Sequence, residues 1–382
     1  MEKLNRLVTI VAIVVALMSY VFYFFDPASK IDESFIKKFE EISSYRKINT
    51  DPIVYEVVLG NGEPGYVVFS SEYGYQSEII LAILINKTGQ IVNVKTYSER
   101  ETRGFYQRLY NNGFFEKNFH GLAINNGFSI HTNVDAVSGA TISSGAVSKA
   151  IHEGSAFVGK KYLDIDVVNP YGSIRFGILE IAIITMFIFV LIAYLTKNKH
   201  LRTLTLVYSF TLMGIKFMAF ISYSTFISFI TFNFPSVFEN LSWYLLFFGS
   251  VALVMSTGKN LYCAYICPFG AMQQMVFQFA KLPSFKVSEN IQKYIKVLPV
   301  FIAWFAFVVT MLSKDISAVN YEPFALIFGR TGLGIQWILL PITVFMSFVI
   351  MRYYCRYGCP VGLIWNILLK VRWKVKSLVW TK

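Results

Sequence analysis

Charge is what this chain of 382 residues has least of: Asp, Glu, Lys and Arg together make up 15% of it. A soluble domain carries about 25%. With 55% hydrophobic residues and a mean hydropathy of +0.50, the chain is no disordered segment. Its 24 glycines are far too few for a collagen repeat, and its four cysteines too few for a disulfide-built secreted module. Histidine is equally scarce. His120, His131, His152 and His200 all lie outside the long apolar runs, which excludes a membrane haem held by two histidines.

What is abundant is aromatic and aliphatic sequence in long runs. Residues 7–25 are apolar for about the 20 residues that a helix needs to cross a bilayer, and no small-residue cleavage site follows. This predicts an uncleaved anchor. Five further apolar stretches lie at 174–195, 204–226, 241–257, 297–313 and 334–352, with 227–240 expected to form a short external turn. Lys and Arg collect in the N-tail, the 196–203 and 258–296 loops and the tail from 352, 17 in all. Only Lys314 and Arg330 fall in the opposite turns. Basic residues mark cytoplasmic loops, so six spans with both termini inside are expected, and residues 26–172 lie outside.

That insertion has 14 basic and 17 acidic residues, a net of −3, so within the formal total of +12 the rest of the chain carries +15. A nucleic-acid binder would carry its surplus on a folded polar surface. Here it follows one side of a membrane, and nucleic acid is excluded as a partner. Inside the insertion, 31–48 has the spacing of an amphipathic helix. Alternating runs at 55–59, 65–69, 78–86 and 90–98 predict strands, with Lys87-Thr88-Gly89 as a hairpin turn and helix and loop over 98–121.

The stretch Asp135-Ala-Val-Ser138-Gly139-Ala140-Thr141-Ile-Ser143-Ser144 reads as a small-residue turn opening a helix. Ser143 or Ser144 is expected to cap that helix, whose free N–H groups would favour a phosphate; a plain capped turn is the other reading. Asp-x-x-Ser-Gly-Ala-Thr resembles the flavinylation motif of bacterial FMN-binding domains, found in sodium-pumping NADH:quinone reductases and ferredoxin-oxidising ion pumps. The resemblance implies FMN joined through its phosphate to the Thr141 hydroxyl by a flavin transferase acting outside the membrane. Asp135, Ser138, Gly139 and Ala140 would complete the motif, with Ser143 beside it. Upstream, Glu101, Thr102 and Gly104 resemble the family's Glu-Thr-Pro-Gly stretch beside the flavin, with Arg103 in place of Pro. A covalent link would retain a soluble cofactor that carries the redox chemistry while the protein sets its position and potential.

The four cysteines form two matched turns, Cys263-Ala-Tyr-Ile-Cys267-Pro-Phe-Gly and Cys355-Arg-Tyr-Gly-Cys359-Pro-Val-Gly. Each follows a span at the cytoplasmic side and precedes a short apolar helix pattern, which marks an internal duplication. Disulfides do not suit a reducing compartment. Four thiolates suit either zinc or an iron–sulfur cluster such as [4Fe-4S], and Cys-x3-Cys-Pro is the closing half of the bacterial ferredoxin ligand run. Within the spans, Glu180 and Lys216 lie at similar depth and are expected to form a buried pair, or Glu180 to accept a proton from quinol.

Taken together, the layout resembles membrane flavoproteins of the NosR and PceC type, without the C-terminal ferredoxin domain of the nitrous-oxide members. The expected fold is an α-helical polytopic membrane protein of about six spans with an inserted extracytoplasmic α+β FMN-binding domain: anchor 1–25, FMN-binding domain 26–172, five-span domain 173–382. The expected function is electron relay in a bacterial cytoplasmic membrane, from quinol or a cytoplasmic donor through the cysteine centre to FMN and an extracytoplasmic acceptor. Redox partner proteins and further membrane subunits are implied. A redox sensor or maturation factor, and a component of an ion pump, are the alternatives. One gap stands out. Cysteines inside and FMN outside would be separated by roughly 30 Å of hydrocarbon.

Overall fold

The computed structural model of the chain describes residues 2–25, 31–75, 77–99, 101, 103–130, 132–137, 140–172, 176–238, 240–283, 288, 295, 297–314, 321–329 and 334–380. It is mostly helical, with one antiparallel sheet domain towards the N-terminus.

α1 (Glu2–Phe24) leads into a sheet of five sequential antiparallel strands: β1 (Ile42–Thr50), β2 (Ile53–Leu59), β3 (Pro64–Tyr73), β4 (Glu78–Asn86) and β5 (Ile91–Ser98). The helix expected over 31–48 does not form. One 3₁₀ turn, Glu33–Lys38, is enough to bury Phe35 and Ile36. The following Ser, Tyr, Ile and Thr residues are indifferent helix formers and pair with β2 from Ile42 onward. The other strands form as their alternation predicts, and Gly89 takes the positive φ of the β4–β5 turn.

β4 reads as a nearly unbroken apolar run because both of its faces are covered. Ala82 and Leu84 pack with Phe35, Ile36 and Phe39. Ile79, Leu81, Ile83 and Ile85 face α4 (Thr141–Val158), beside α2 (Arg103–Asn111) and α3 (Phe114–Asn118). The small residues of α4 allow a close approach: a Cβ on Gly154 would lie 2.8 Å from Ile83 Cδ1 and 3.0 Å from Ser70 Cβ. Any larger residue there would push the helix off the sheet.

The second half is a helical body: α5 (Ile178–Thr196), α6 (Lys199–Tyr208), α7 (Tyr223–Ile230), α8 (Leu241–Thr257), α9 (Pro268–Ala280), α10 (Leu298–Ser313), α11 (Phe324–Gly329), α12 (Gln336–Val349), α13 (Tyr353–Tyr357) and α14 (Pro360–Trp380). Among the described residues two helices are long and apolar enough to cross a membrane, Arg6–Phe24 and Ile178–Thr196. α8, α10 and α12 are apolar but shorter.

The run at 204–226 is not one helix. α6 widens into a π-helix over Ser209–Lys216, and the chain then leaves helical geometry until α7. Tyr262 fills the break, its hydroxyl accepting the Ile221 N–H at 2.7 Å. Glu180 and Lys216 do not pair. Glu180 lies in the first turn of α5 and accepts the Gly177 N–H at 2.8 Å, while the Lys216 ammonium sits 5.2 Å over the Phe217 ring. A helix start already supplies what that carboxylate needs.

Candidate functional site

Thr141 is the first residue of α4 and is exposed; Ala140 before it is buried and is the residue at the N-cap. Neither Ser143 nor Ser144 caps the helix. The Ser144 hydroxyl donates to Ala140 O at 2.9 Å and accepts the Val137 N–H at 3.1 Å, which ties the motif turn to the helix. Ser143 is buried and donates to Glu101 Oε2 at 2.6 Å. Both serines lie one turn inside the helix, too late to cap it. Asp135 is exposed, with its N–H donated to Asn118 Oδ1 at 2.8 Å. Ser138, Gly139 and Thr102 lie outside the described residues, and Gly104 falls in the first turn of α2.

Glu101 is the joint of this region and is 2% exposed. Besides Ser143, its carboxylate accepts the Ser77 N–H at 2.9 Å and the Tyr75 N–H at 3.2 Å. It thus fixes the β3–β4 turn to the start of α4. Gly74 is required beside it, because a Cβ there would meet Glu101 Oε1 at 2.8 Å. Arg103 opens α2. Proline is tolerated at the first helical position, so Arg for Pro is compatible with the same loop exit. Glu101→Ala would strand Ser143 and two buried N–H groups, costing about 2–4 kcal/mol. A fall in the melting temperature of the sheet domain, together with less flavin attached, is the expected result by calorimetry and mass analysis.

His152, on the same helix, is buried against Tyr171 with ring centroids 5.3 Å apart, and its Nδ1 has no hydrogen-bond partner. Burial, then the nearby Lys149 charge, holds its pKa below the ordinary value of 6.5. The unfolded chain therefore takes up a proton that the folded domain refuses as pH drops below about 6.5, so stability falls with acidification. His152→Gln is expected to flatten the dependence of the thermal midpoint between pH 7 and 5; an unchanged slope would show that other groups carry it.

The two cysteine turns are built alike. The Cys267 N–H donates to Tyr262 O and the Cys359 N–H to Tyr354 O, each at 2.9 Å. Pro268 and Pro360 begin α9 and α14, where a missing N–H costs nothing. A Cβ on Gly270 would lie 3.1 Å from Cys263 O, and one on Gly362 would lie 3.3 Å from Cys355 O. These glycines let each helix start press against its own turn.

The four thiols are neighbours. Cys359 feels the charges of Cys355, Cys263 and Cys267, and the Gly270 Cβ position is 3.7 Å from Cys355 Sγ and 3.8 Å from Cys267 Cβ. Around them stand groups that compensate negative charge. Phe269 and Gly270 offer backbone N–H groups to Cys267, and Gln273 Nε2 donates to Cys355 Sγ at 3.3 Å. The Arg352 guanidinium, fixed by Cys263 O at 2.8 Å and Gln274 Oε1 at 2.6 Å, lies close by. Among the described residues no three His, Cys, Asp or Glu converge as they would around one ion. A four-iron cluster is a cage with its thiolates on separate irons, so spaced thiols beside the start of α9, whose Phe269 and Gly270 N–H groups serve Cys267, fit a cluster.

Residues that the sequence did not single out join the two sites. The Tyr75 hydroxyl, in the turn that Glu101 clamps, is 3.4 Å from Ser222 Oγ at the start of α7. Tyr73 packs with Tyr223 and Ile227. Arg108 of α2 donates to Gly329 O at the end of α11. At α7 the Tyr223 N–H donates to Glu322 Oε2 at 2.8 Å, and Glu322 is within electrostatic range of Cys359. At the other end of this connection, Gly214 of the widened α6 abuts Pro268 and Phe328. Fifteen residues of helix from Lys199 place that contact roughly 20 Å along α6. Polar residues inside apolar runs, such as Gln273, Gln274 and Arg352, were the available signal; their partners are distant in sequence.

Comparison with known proteins places two domain families on this frame. The FMN-binding domain family matches residues 74–155, and the 4Fe-4S binding domain family matches residues 239–286 and 335–377, one segment around each cysteine turn. The chain is thus a flavin and iron–sulfur protein, and the resemblance to NosR-type flavoproteins is borne out. Regulatory protein NosR of Stutzerimonas stutzeri is 24% identical over 131 residues, 31% of this chain and 17% of that protein. NosR of Pseudomonas aeruginosa is 25% identical over 154 residues, 36% of this chain and 21% of its own. A component of the proton-translocating ferredoxin:NAD(+) oxidoreductase complex of Clostridium ljungdahlii is 27% identical over 117 residues, 30% of this chain and 63% of that component. The chain therefore spans about a fifth of the NosR relatives it matches.

Proposed function

We propose that this protein relays electrons between an iron–sulfur cluster held by Cys263, Cys267, Cys355 and Cys359 and FMN joined covalently to Thr141. When bound, these two groups supply the redox chemistry; the residues hold, orient and insulate them. Thr141 contributes the hydroxyl oxygen, Glu101 fixes the turn beside it, and Arg352 and Gln273 balance the thiolates. The sheet domain, 26–172, lies outside a bacterial cytoplasmic membrane that α1 and the helical body cross, with both termini inside. Maturation then requires a flavin transferase on the outer side. An extracytoplasmic redox partner and further membrane subunits complete the route.

The observation that carries this reading is the run of contacts from Glu101 through Tyr75 and Ser222 to Tyr223 and Glu322, a carboxylate within electrostatic range of Cys359. The first cysteine turn packs against the widened part of α6, where Pro268 abuts Gly214. In this reading the two centres exchange electrons directly, without a third carrier between them. A test is to introduce Tyr75→Cys and Ser222→Cys together in membranes and add a short thiol-to-thiol crosslinker. Efficient crosslinking within one chain is expected. Its absence, with both sites accessible to a small thiol reagent, would contradict the route. A regulatory reading is favoured only by the name of the relatives, regulatory protein NosR; it would need the flavin to be reduced without onward transfer.

A further inference from the structure

Between α10 and α12 lies a cavity of ≈ 380 Å³, bounded on its inner side by the second cysteine turn. Its rim is apolar and open: Leu298, Phe305, Ile335 and Ile342 are each more than four-tenths exposed. Its inner wall is different. Tyr321 and Tyr354 line it, and both hydroxyl oxygens are buried without a hydrogen-bond partner. The two phenols are within electrostatic range of each other, of Glu322 and of Cys359, and Tyr354 also of Cys355. Glu322 Oε1 is buried and unpartnered as well. Unpaired polar groups at such depth cost about 1–3 kcal/mol each, so two such phenols on the wall of an apolar cavity mark a place for a polar headgroup.

We propose that this cavity binds a lipid-soluble quinone, its ring oxygens meeting the Tyr321 and Tyr354 hydroxyls and its tail leaving between α10 and α12. An acyl chain alone would fill the apolar part and leave the phenols unsatisfied. A water-soluble ligand would have to pass an apolar rim. The site rests on the relay reading for its purpose and adds to it a binding site one residue from Cys355 and Cys359.

The test uses the full chain in lipid nanodiscs, with flavin and iron measured first. An azido-substituted benzoquinone is photolysed on it and the labelled peptides are mapped. Labelling of Leu298–Ser313 or of Tyr353–Gly358 is expected, competed by a decyl-benzoquinone and not by the matching hydrocarbon. Ala306→Phe, which fills the cavity, should reduce labelling about tenfold. Tyr321→Phe, which removes one hydroxyl without changing volume, should weaken competition by about two- to tenfold, and it decides the matter if the first variant loses its iron. Labels elsewhere, or equal competition by the hydrocarbon, would overturn the quinone site. Iron missing from the unaltered chain would instead sink the relay and leave the labelling result standing.

Discussion

Thr141→Val is expected to leave a folded chain from which attached FMN is entirely absent. The side chain is exposed at the first position of α4, so an isosteric change there perturbs stability by no more than about 0.5 kcal/mol. What is lost is the hydroxyl oxygen proposed to carry the phosphoester, at the start of a helix whose free N–H groups attract a phosphate. Intact-mass measurement should therefore show every chain without the flavin increment, while unaltered protein from the same cells carries it. Thr141→Ser, which restores an oxygen on a more mobile side chain, should recover attachment in part. Flavin retained on Thr141→Val would move the attachment to another hydroxyl and undo the assignment.

The second large effect concerns the cysteine turns. Cys359→Ser or Cys267→Ser is expected to lower the iron content of the purified chain more than tenfold, because a [4Fe-4S] cluster held by four cysteines does not survive the loss of one, and these two are the buried members of the four. Losing the cluster would also leave Arg352 and the Phe269 and Gly270 N–H groups at the start of α9 without the negative charge they balance. Such a variant should lose the visible absorption of the cluster and keep its flavin, since Thr141 belongs to a separately packed domain. Stoichiometric zinc in the unaltered protein, with iron absent, would replace the cluster by the single-ion alternative.

Much of this could be read from the residues. β2 to β5 followed from alternation, because each strand shows one buried face or two. α1, α5, α8, α10 and α12 followed from apolar length. The paired cysteine turns followed from identical spacing, and their helix starts and glycine contacts repeat in the fold. The misses have a common physical origin. β1 was hidden because a short apolar cluster at Phe35, Ile36 and Phe39 imitates a helical face. The break after Lys216 was hidden because Tyr262, which fills it, is remote in sequence. Glu101 was noticed for its resemblance to a flavin-side residue, yet in the fold it clamps Ser143, Tyr75 and Ser77. Depth was the least legible property. Counting spans put a membrane's width between the two centres, and the packing of Gly214 against Pro268, which sets the first cysteine turn beside the widened α6, has no signature in the sequence.

Direct exchange between the two centres is the central proposal, and one measurement addresses it. In the purified, fully loaded chain, partial reduction can be set to hold a flavin radical beside a reduced cluster, and the spin relaxation of the flavin signal recorded at low temperature. Relaxation strongly accelerated over that of the same flavin in Cys355→Ser protein, which lacks the cluster, is the predicted result. Identical relaxation in the two proteins would place the centres too far apart to exchange electrons directly and would contradict the relay.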